Sequence, residues 1–174
     1  MIYCVELAFS DPARQAQWNH WYSEHLGVLL SVPGFSTAQR FVSSTPCRAP
    51  FLAAYSVTSG EVFTSVPYQQ RGGRTAPGKW VSLMTNWDRN LFDGLAQMPA
   101  VQPHQTLAVV DGTPDELANF PLPLHALRCV GLDCTVPHRG LAVLSAAELS
   151  AWMPPPDTRA RFYKALTPQL RVTT

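Results

Sequence analysis

The stretch from Ser10 to Phe35 constrains this chain more than any other. Ser10-Asp11-Pro12 places an N-cap candidate ahead of a proline in the first turn, and Val32-Pro33-Gly34 supplies a stop. The spacing between them predicts a helix running to about Ser31. At roughly 100° per residue, Trp18, Trp21, Tyr22, His25, Leu26, Val28 and Leu29 fall on one apolar stripe. Asn19, His20, Ser23, Glu24 and Gly27 fall on the other side. His25 sits near the centre of the stripe and is the only readily ionisable residue in it.

Alternating apolar runs flank that helix. Met1 to Phe9 reads as a strand with Tyr3, Val5, Leu7 and Phe9 on one face and Ile2, Cys4, Glu6 and Ala8 on the other. Phe35 to Ser43 and Phe51 to Thr58 read as two further strands. Glu61 to Tyr68 reads as helical or irregular, and Gln69 to Gly78 as a loop rich in glycine and arginine. Trp80 to Met98 starts like a strand and continues like a helix. Met98 to Pro103 carries two prolines and is the predicted boundary between a first unit, 1–98, and a diverged second unit, 104–174. In the second, strands are expected at Thr106–Val110, Ala126–Thr135, Gly140–Leu144 and Leu170–Thr173. Helices are expected at Pro114–Phe120 and Ala146–Met153, with helix resuming over Arg159–Leu166 beyond the break at Pro154-Pro155-Pro156. Strand, helix, strand, strand, helix, strand is the ferredoxin-like order, clear in the first unit and resting on element order alone in the second. The fold class is therefore α+β with antiparallel sheets.

Composition narrows the functional classes. With 46% hydrophobic and 14% charged residues and a formal charge of +1, the chain has a core to build and no field for nucleic acid or an acidic membrane. No apolar run approaches the ~20 residues of a membrane span, and the N-terminus lacks a signal-peptide pattern. A cytoplasmic location is expected. Cys4, Cys47, Cys129 and Cys134 form no Cys-x-x-Cys pair, so free, mostly buried thiols and no metal site are expected. Cys129 and Cys134, five apart in an apparent strand, are expected on opposite faces.

Several residues carry candidate chemistry. His25 is either a core histidine or the polar group of a cavity between helix and sheet, where burial favours the neutral ring that serves as a general base. Tyr22 lies one turn away on the same stripe. His20 and Glu24 form a solvated i,i+4 pair. Glu6 and Arg40 are charges inside strands; they are either a buried structural pair or groups that orient a polar substrate near the Tyr55 strand. Arg71, Arg74 and Lys79 lie among glycines, in a cationic loop that is either solvated or able to close over an anionic group at a pocket mouth. His104, His125 and His138 show no ligand spacing, and neither a nucleotide fingerprint nor a nucleophile elbow is present.

Trp-Tyr-Ser-Glu-His-Leu (21–26), Val-Pro-Gly-Phe (32–35) and Ala38-Gln39-Arg40-Phe41 resemble the dimeric α+β barrel superfamily, closest to EthD-like and stress-responsive barrel proteins. The resemblance covers about the first 60 residues. It implies two ferredoxin-like sheets packed face to face, from a homodimer or from two halves of one chain as an intrachain pseudo-dimer. It further implies a small-molecule cavity in each unit and, in enzymatic members, cofactor-free acid–base chemistry by a histidine and a tyrosine. Only His25 matches the family's helix histidine; Tyr22 enters from spacing.

The function expected is a cofactor-independent isomerase-, cyclase- or lyase-like proton transfer on a small, largely apolar carbonyl or aromatic compound. His25 and Tyr22 would be catalytic. Trp18, Trp21, Leu29, Glu6, Arg40, Tyr55, Arg71 and Arg74 would bind substrate, with no metal and no cofactor. The partner is a small molecule, not nucleic acid or membrane. The alternatives are a non-catalytic ligand-binding or stress-associated barrel, a purely structural partner protein and, from the resemblance, a haem-binding or monooxygenase-type barrel.

Overall fold

The computed structural model describes residues 1–152 and 158–172. The described residues form nine strands: β1 (Ile2–Phe9), β2 (Phe35–Ser43), β3 (Phe51–Val57), β4 (Met84–Asp93), β5 (Thr106–Asp111), β6 (His125–Leu132), β7 (His138–Leu144), β8 (Arg161–Ala165) and β9 (Leu170–Arg171). The helices are α1 (Gln15–Leu30), α2 (Val66–Arg71), α3 (Pro114–Ala118) and α4 (Ala146–Trp152). All pairings are antiparallel, in the order β3-β1-β4-β6-β7-β5-β8-β2-β9, and β3 also pairs with β2. That last pairing closes eight strands, β1 to β8, into a barrel within one chain. Within it the orders β2-β3-β1-β4 and β6-β7-β5-β8 are the same permutation.

Strand alternation sorts the side chains into two layers. The odd residues of β1, from Tyr3 to Phe9, join Trp18, Tyr22, Leu26 and Leu29 in a core between sheet and α1. Ile2 and Cys4 point into the barrel, where they meet Phe41, Leu52, Phe92, Leu107, Leu127, Leu141 and Tyr163. Ala108, Val110, Leu117, Ala142 and Phe162 form a smaller core under α3.

Asp11 caps a 3-10 turn, Pro12–Arg14, that leads into α1. The buried stripe of α1 is Trp18, Tyr22, Leu26 and Leu29, while Trp21 and His25 are half-buried and Val28 is exposed. His25 therefore flanks the apolar stripe instead of centring it. The helix ends where Gly34, at φ +98°, turns the chain into β2. A Cβ there would lie 2.4 Å from Val62 Cγ2, and Val is stiff at χ1. Gly34→Ala is expected to lower the unfolding free energy by about 2–3 kcal/mol in urea titrations, from left-handed strain plus the clash.

Three segments depart from expectation. Trp80–Met98 begins within a 3-10 turn, Gly78–Leu83, where a strand-like start was expected, and continues as strand β4 where helix was expected. Arg161–Ala165 is strand, not resumed helix. In both, ladder pairing along the barrel overrides an ambiguous local pattern. The Cys129 and Cys134 sulfurs do not face opposite ways: they lie 3.4 Å apart, because Leu132 and Cys134 adopt left-handed φ values of 68° and 48° and fold the chain back. Nor are the thiols mostly buried, since Cys134 is exposed and Cys47 and Cys129 are half-buried. The expected Pro154–Pro156 break, the end of the Ala146–Met153 helix and the end of the last strand (Thr173) lie outside the described residues.

The segment after β4 is pinned to the barrel. Gln39 accepts from Val101 N (3.0 Å) and donates to Val101 O (2.8 Å) and Thr167 O (3.0 Å), while Met98 N donates to Ser56 Oγ (2.8 Å). Met98 and Val101 are buried in the interior cluster. No helix among the described residues is long and apolar enough to cross a membrane.

Candidate functional site

The α1 face of the first four strands holds a small, narrow cavity of about 20 Å³, lined in part by Tyr22, His25, Leu29, Tyr55, Tyr68 and Trp87. That is room for about one water molecule. Two buried polar atoms of its lining residues lack a well-formed hydrogen bond among the described residues: Trp87 Nε1, and Tyr55 Oη, whose near polar neighbour is the Tyr22 hydroxyl. Each such orphan costs about 1–3 kcal/mol unless a guest satisfies it.

His25 packs one ring face on Trp21, at 5.0 Å between centroids and 16° between planes, with Tyr22 edge-on at 6.1 Å. Burial lowers its pKa to about 4, so the ring is neutral at pH 7. Burial also pushes Tyr22 up to about 12, against the pull of Arg40, and raises Tyr55 well above the ordinary tyrosine value. The cavity thus combines a neutral imidazole with two hydroxyls that keep their protons.

The His25 shift has a consequence for stability. In the unfolded chain the ring titrates near 6.5, whereas the fold holds it neutral down to about 4. This contribution is complete above about pH 6.5 and is lost as the pH falls from there towards 4. The loss should reach about 2–3 kcal/mol after allowance for the ring's partial exposure. Denaturant titrations across that interval should show it, and the slope should flatten in His25→Leu.

Arg40 stands behind Tyr22. Its guanidinium lies 4.2 Å from the Tyr22 ring centroid and 4.8 Å from that of Trp18. It donates Nη1 to Asn19 O (3.2 Å) and Nη2 to Asn19 Oδ1 (3.0 Å), with the side chain 1% exposed and no carboxylate partner among the described residues. Burial lowers its pKa, yet arginine keeps its charge in proteins. An unneutralised buried cation beside two tyrosines favours negative charge forming nearby.

Other residues predicted for the pocket lie elsewhere. Glu6 faces the opposite side of β1, inside the barrel. There it pairs with Arg139 (2.6 Å) and Arg161, and both arginines also bind Asp111. It does not pair with Arg40, because one points into the barrel and the other lies under α1. Trp18 stacks on Phe9 at 4.6 Å as core, and Trp21 does not line the cavity but packs against two residues that do, Tyr22 and His25. Arg71 and Arg74 do not point into the cavity either. Arg71 donates to Ser31 O and Oγ (3.3 Å each); Arg74 donates to Trp87 O (3.1 Å) and pairs with Asp133. Together they fasten the 72–79 segment, whose Gly73 and Pro77 roof the cavity. Tyr68 and Trp87 were missed: Trp87 lies in the stretch read as helix, and nothing in the local pattern of α2 distinguishes Tyr68 from core.

Two larger cavities lie on the other half. One of about 440 Å³ runs between α3 and β6, apolar through Leu117, Leu122, Leu124 and Leu127, with Asp93, Arg128 and His138 at its rim. The other, about 700 Å³, adjoins it across Leu122–Leu124 towards α4. Among the described residues no group of three or more His, Cys, Asp or Glu is placed to hold a metal ion.

No family model and no curated protein matches the sequence. The fold is similar to that of a solved structure described as an anthrone oxidase-like protein, with TM-score 0.54 and 13% identity over 98% of this chain and 92% of that one. At that identity the likeness concerns the fold.

Proposed function

We propose that the chain is an intrachain pseudo-dimer of two ferredoxin-like units, 1–98 and 104–174, whose first unit is a cofactor-independent enzyme acting on a small, largely apolar carbonyl or hydroxyaromatic compound. The observation that carries the reading is that neutral His25, the paired hydroxyl residues Tyr22 and Tyr55, and Trp87, whose N–H has no partner among the described residues, line one cavity. His25 takes a proton from an acidic C–H or O–H of the substrate. Tyr55 and Tyr22, kept protonated, donate hydrogen bonds to the oxygen on which the charge collects, and Arg40 stabilises that charge from behind Tyr22. Leu29 and Met84 contact the apolar body.

A bulky substrate requires the 72–79 segment to move, since the cavity holds about one water. Proton abstraction of this kind is the first step of an isomerisation or cyclisation. It also yields the carbanion that dioxygen oxidises in an anthrone, the compound class in the description of the structural neighbour.

The test is turnover of an anthrone by purified protein, followed as loss of substrate. Loss above the buffer rate, abolished in a folded His25→Gln protein, supports the reading; equal rates in both proteins reject it. One observation favours a second reading, ligand binding without turnover in the other half: the α3–β6 cavity is already large enough, at about 440 Å³. Thermal stabilisation by the same compound, lost in Leu117→Trp and retained in His25→Gln, would select it.

A further inference from the structure

We propose that Cys129 and Cys134 are a modification site: a dithiol that exchanges with a low-molecular-weight disulfide and closes reversibly into a clamp on the turn carrying Asp133. The sulfurs lie 3.4 Å apart, so a bond of about 2.0 Å requires a shift of roughly 1.4 Å, within side-chain reach. Cys134 is exposed and Cys129 half-buried, so one sulfur meets solvent while the other waits behind it.

The turn holds this geometry at a cost. Leu132 and Cys134, neither of them glycine, sit at φ 68° and 48°, positions that persist only when neighbours enforce them. The neighbours are on β4. Asp133 N donates to Arg89 O (2.9 Å), Arg89 N donates to Asp133 Oδ2 (2.9 Å), and Thr135 N donates to the buried Asn90 Oδ1 (2.9 Å). Asp133 is also the anion that holds Arg74. The two cysteines therefore bracket the residue that fastens the 72–79 roof.

The chemistry balances with a disulfide such as oxidised glutathione. Cys134, as thiolate, attacks one glutathione sulfur; the S–S bond breaks and one glutathione thiol leaves with the proton that Cys134 gave up. Cys129, deprotonated in turn, attacks the Cys134 sulfur and expels the second glutathione thiol. The dithiol loses two electrons and two protons, and the glutathione disulfide gains them. Contact with Cys129 holds the Cys134 thiol above its ordinary value, so exchange should quicken as the pH rises.

The experiment incubates the reduced full-length protein with oxidised glutathione, alkylates free thiols and digests with trypsin. Cleavage after Arg128 and Arg139 places both cysteines in one peptide. The expected result is that peptide lighter by two hydrogens and unalkylated, with Cys4 and Cys47 alkylated. In C129S, Cys134 should stop as a glutathione adduct. A stable adduct on Cys134 in the wild type, or a bond from Cys134 to Cys47, overturns the site. Brief native proteolysis tests the clamp: cleavage after Arg74 should slow several-fold on oxidation of the wild type and not of C129S. Equal rates overturn the link to the roof.

Discussion

Glu6→Gln should lower the unfolding free energy by about 1–3 kcal/mol, because buried Arg139 loses one of its two counter-charges and keeps Asp111. Arg139 is fully buried, lies 5.1 Å from the Phe92 ring centroid, and has one terminal nitrogen, Nη1, already without a partner among the described residues. Glu6 and Asp111 are its two counter-charges, and they also bridge to Arg161. Burial pushes the Glu6 carboxyl up, but Arg139 and Arg161 pull harder, and it stays below its ordinary value. This contribution is present above the unfolded-state pKa and is lost as the pH falls through the folded one. Glu6 belongs to β1 while Arg139, Asp111 and Arg161 belong to β7, β5 and β8, so the network ties the two halves together through the barrel interior. Urea titration at pH 7 checks the value. A milder loss in Glu6→Leu/Arg139→Met would identify the unbalanced charge, and not lost packing, as its source.

His25→Gln should reduce turnover of a proton-transfer substrate by about 10²–10⁴-fold, the usual contribution of a positioned general base. Glutamine retains polarity and approximate bulk at a half-buried helix position, so the fold should survive. Tyr55→Phe removes the hydroxyl that lacks a well-formed hydrogen bond among the described residues. It should cost less in rate, and it should raise or leave unchanged the stability of the free protein, because a buried orphan disappears with it. That opposition of stability and rate is a signature a purely structural tyrosine would not give. Steady-state rates and denaturant midpoints on the same preparations would measure both.

Much of the first half was legible because its signals are local. The Pro12 start and Val-Pro-Gly stop bound α1, and alternation in Ile2–Phe9 separates the sheet face that meets α1 from the one that fills the barrel. Spacing put Tyr22 one turn from His25 on α1, and both line the small cavity beneath the helix. Helical spacing could not show that the buried line runs Trp18, Tyr22, Leu26 and Leu29, one position round from His25. Which line is buried depends on how α1 lies on the sheet, a tertiary matter. The pairing of Glu6 with Arg139 and Arg161 spans well over a hundred residues and follows only from barrel closure. Arg71 and Arg74 read as anion binders because a loop of glycine and arginine has no pattern that betrays its partners. Ser31, Trp87 and Asp133 are brought to it by three different elements. The strand β4 was hidden because Trp87, Leu91 and Phe92 fit a helical stripe about as well as a strand face.

The account rests on the substrate entering beneath α1. It is tested most directly by an experimental structure of the protein bound to a non-reacting aromatic ketone such as an anthraquinone. The expected result places the ketone oxygen within hydrogen-bonding distance of Tyr55 or Tyr22, with His25 beside the ring and residues 72–79 displaced. A ligand seated instead between α3 and β6, with the roof closed over an unchanged His25 cavity, would contradict it.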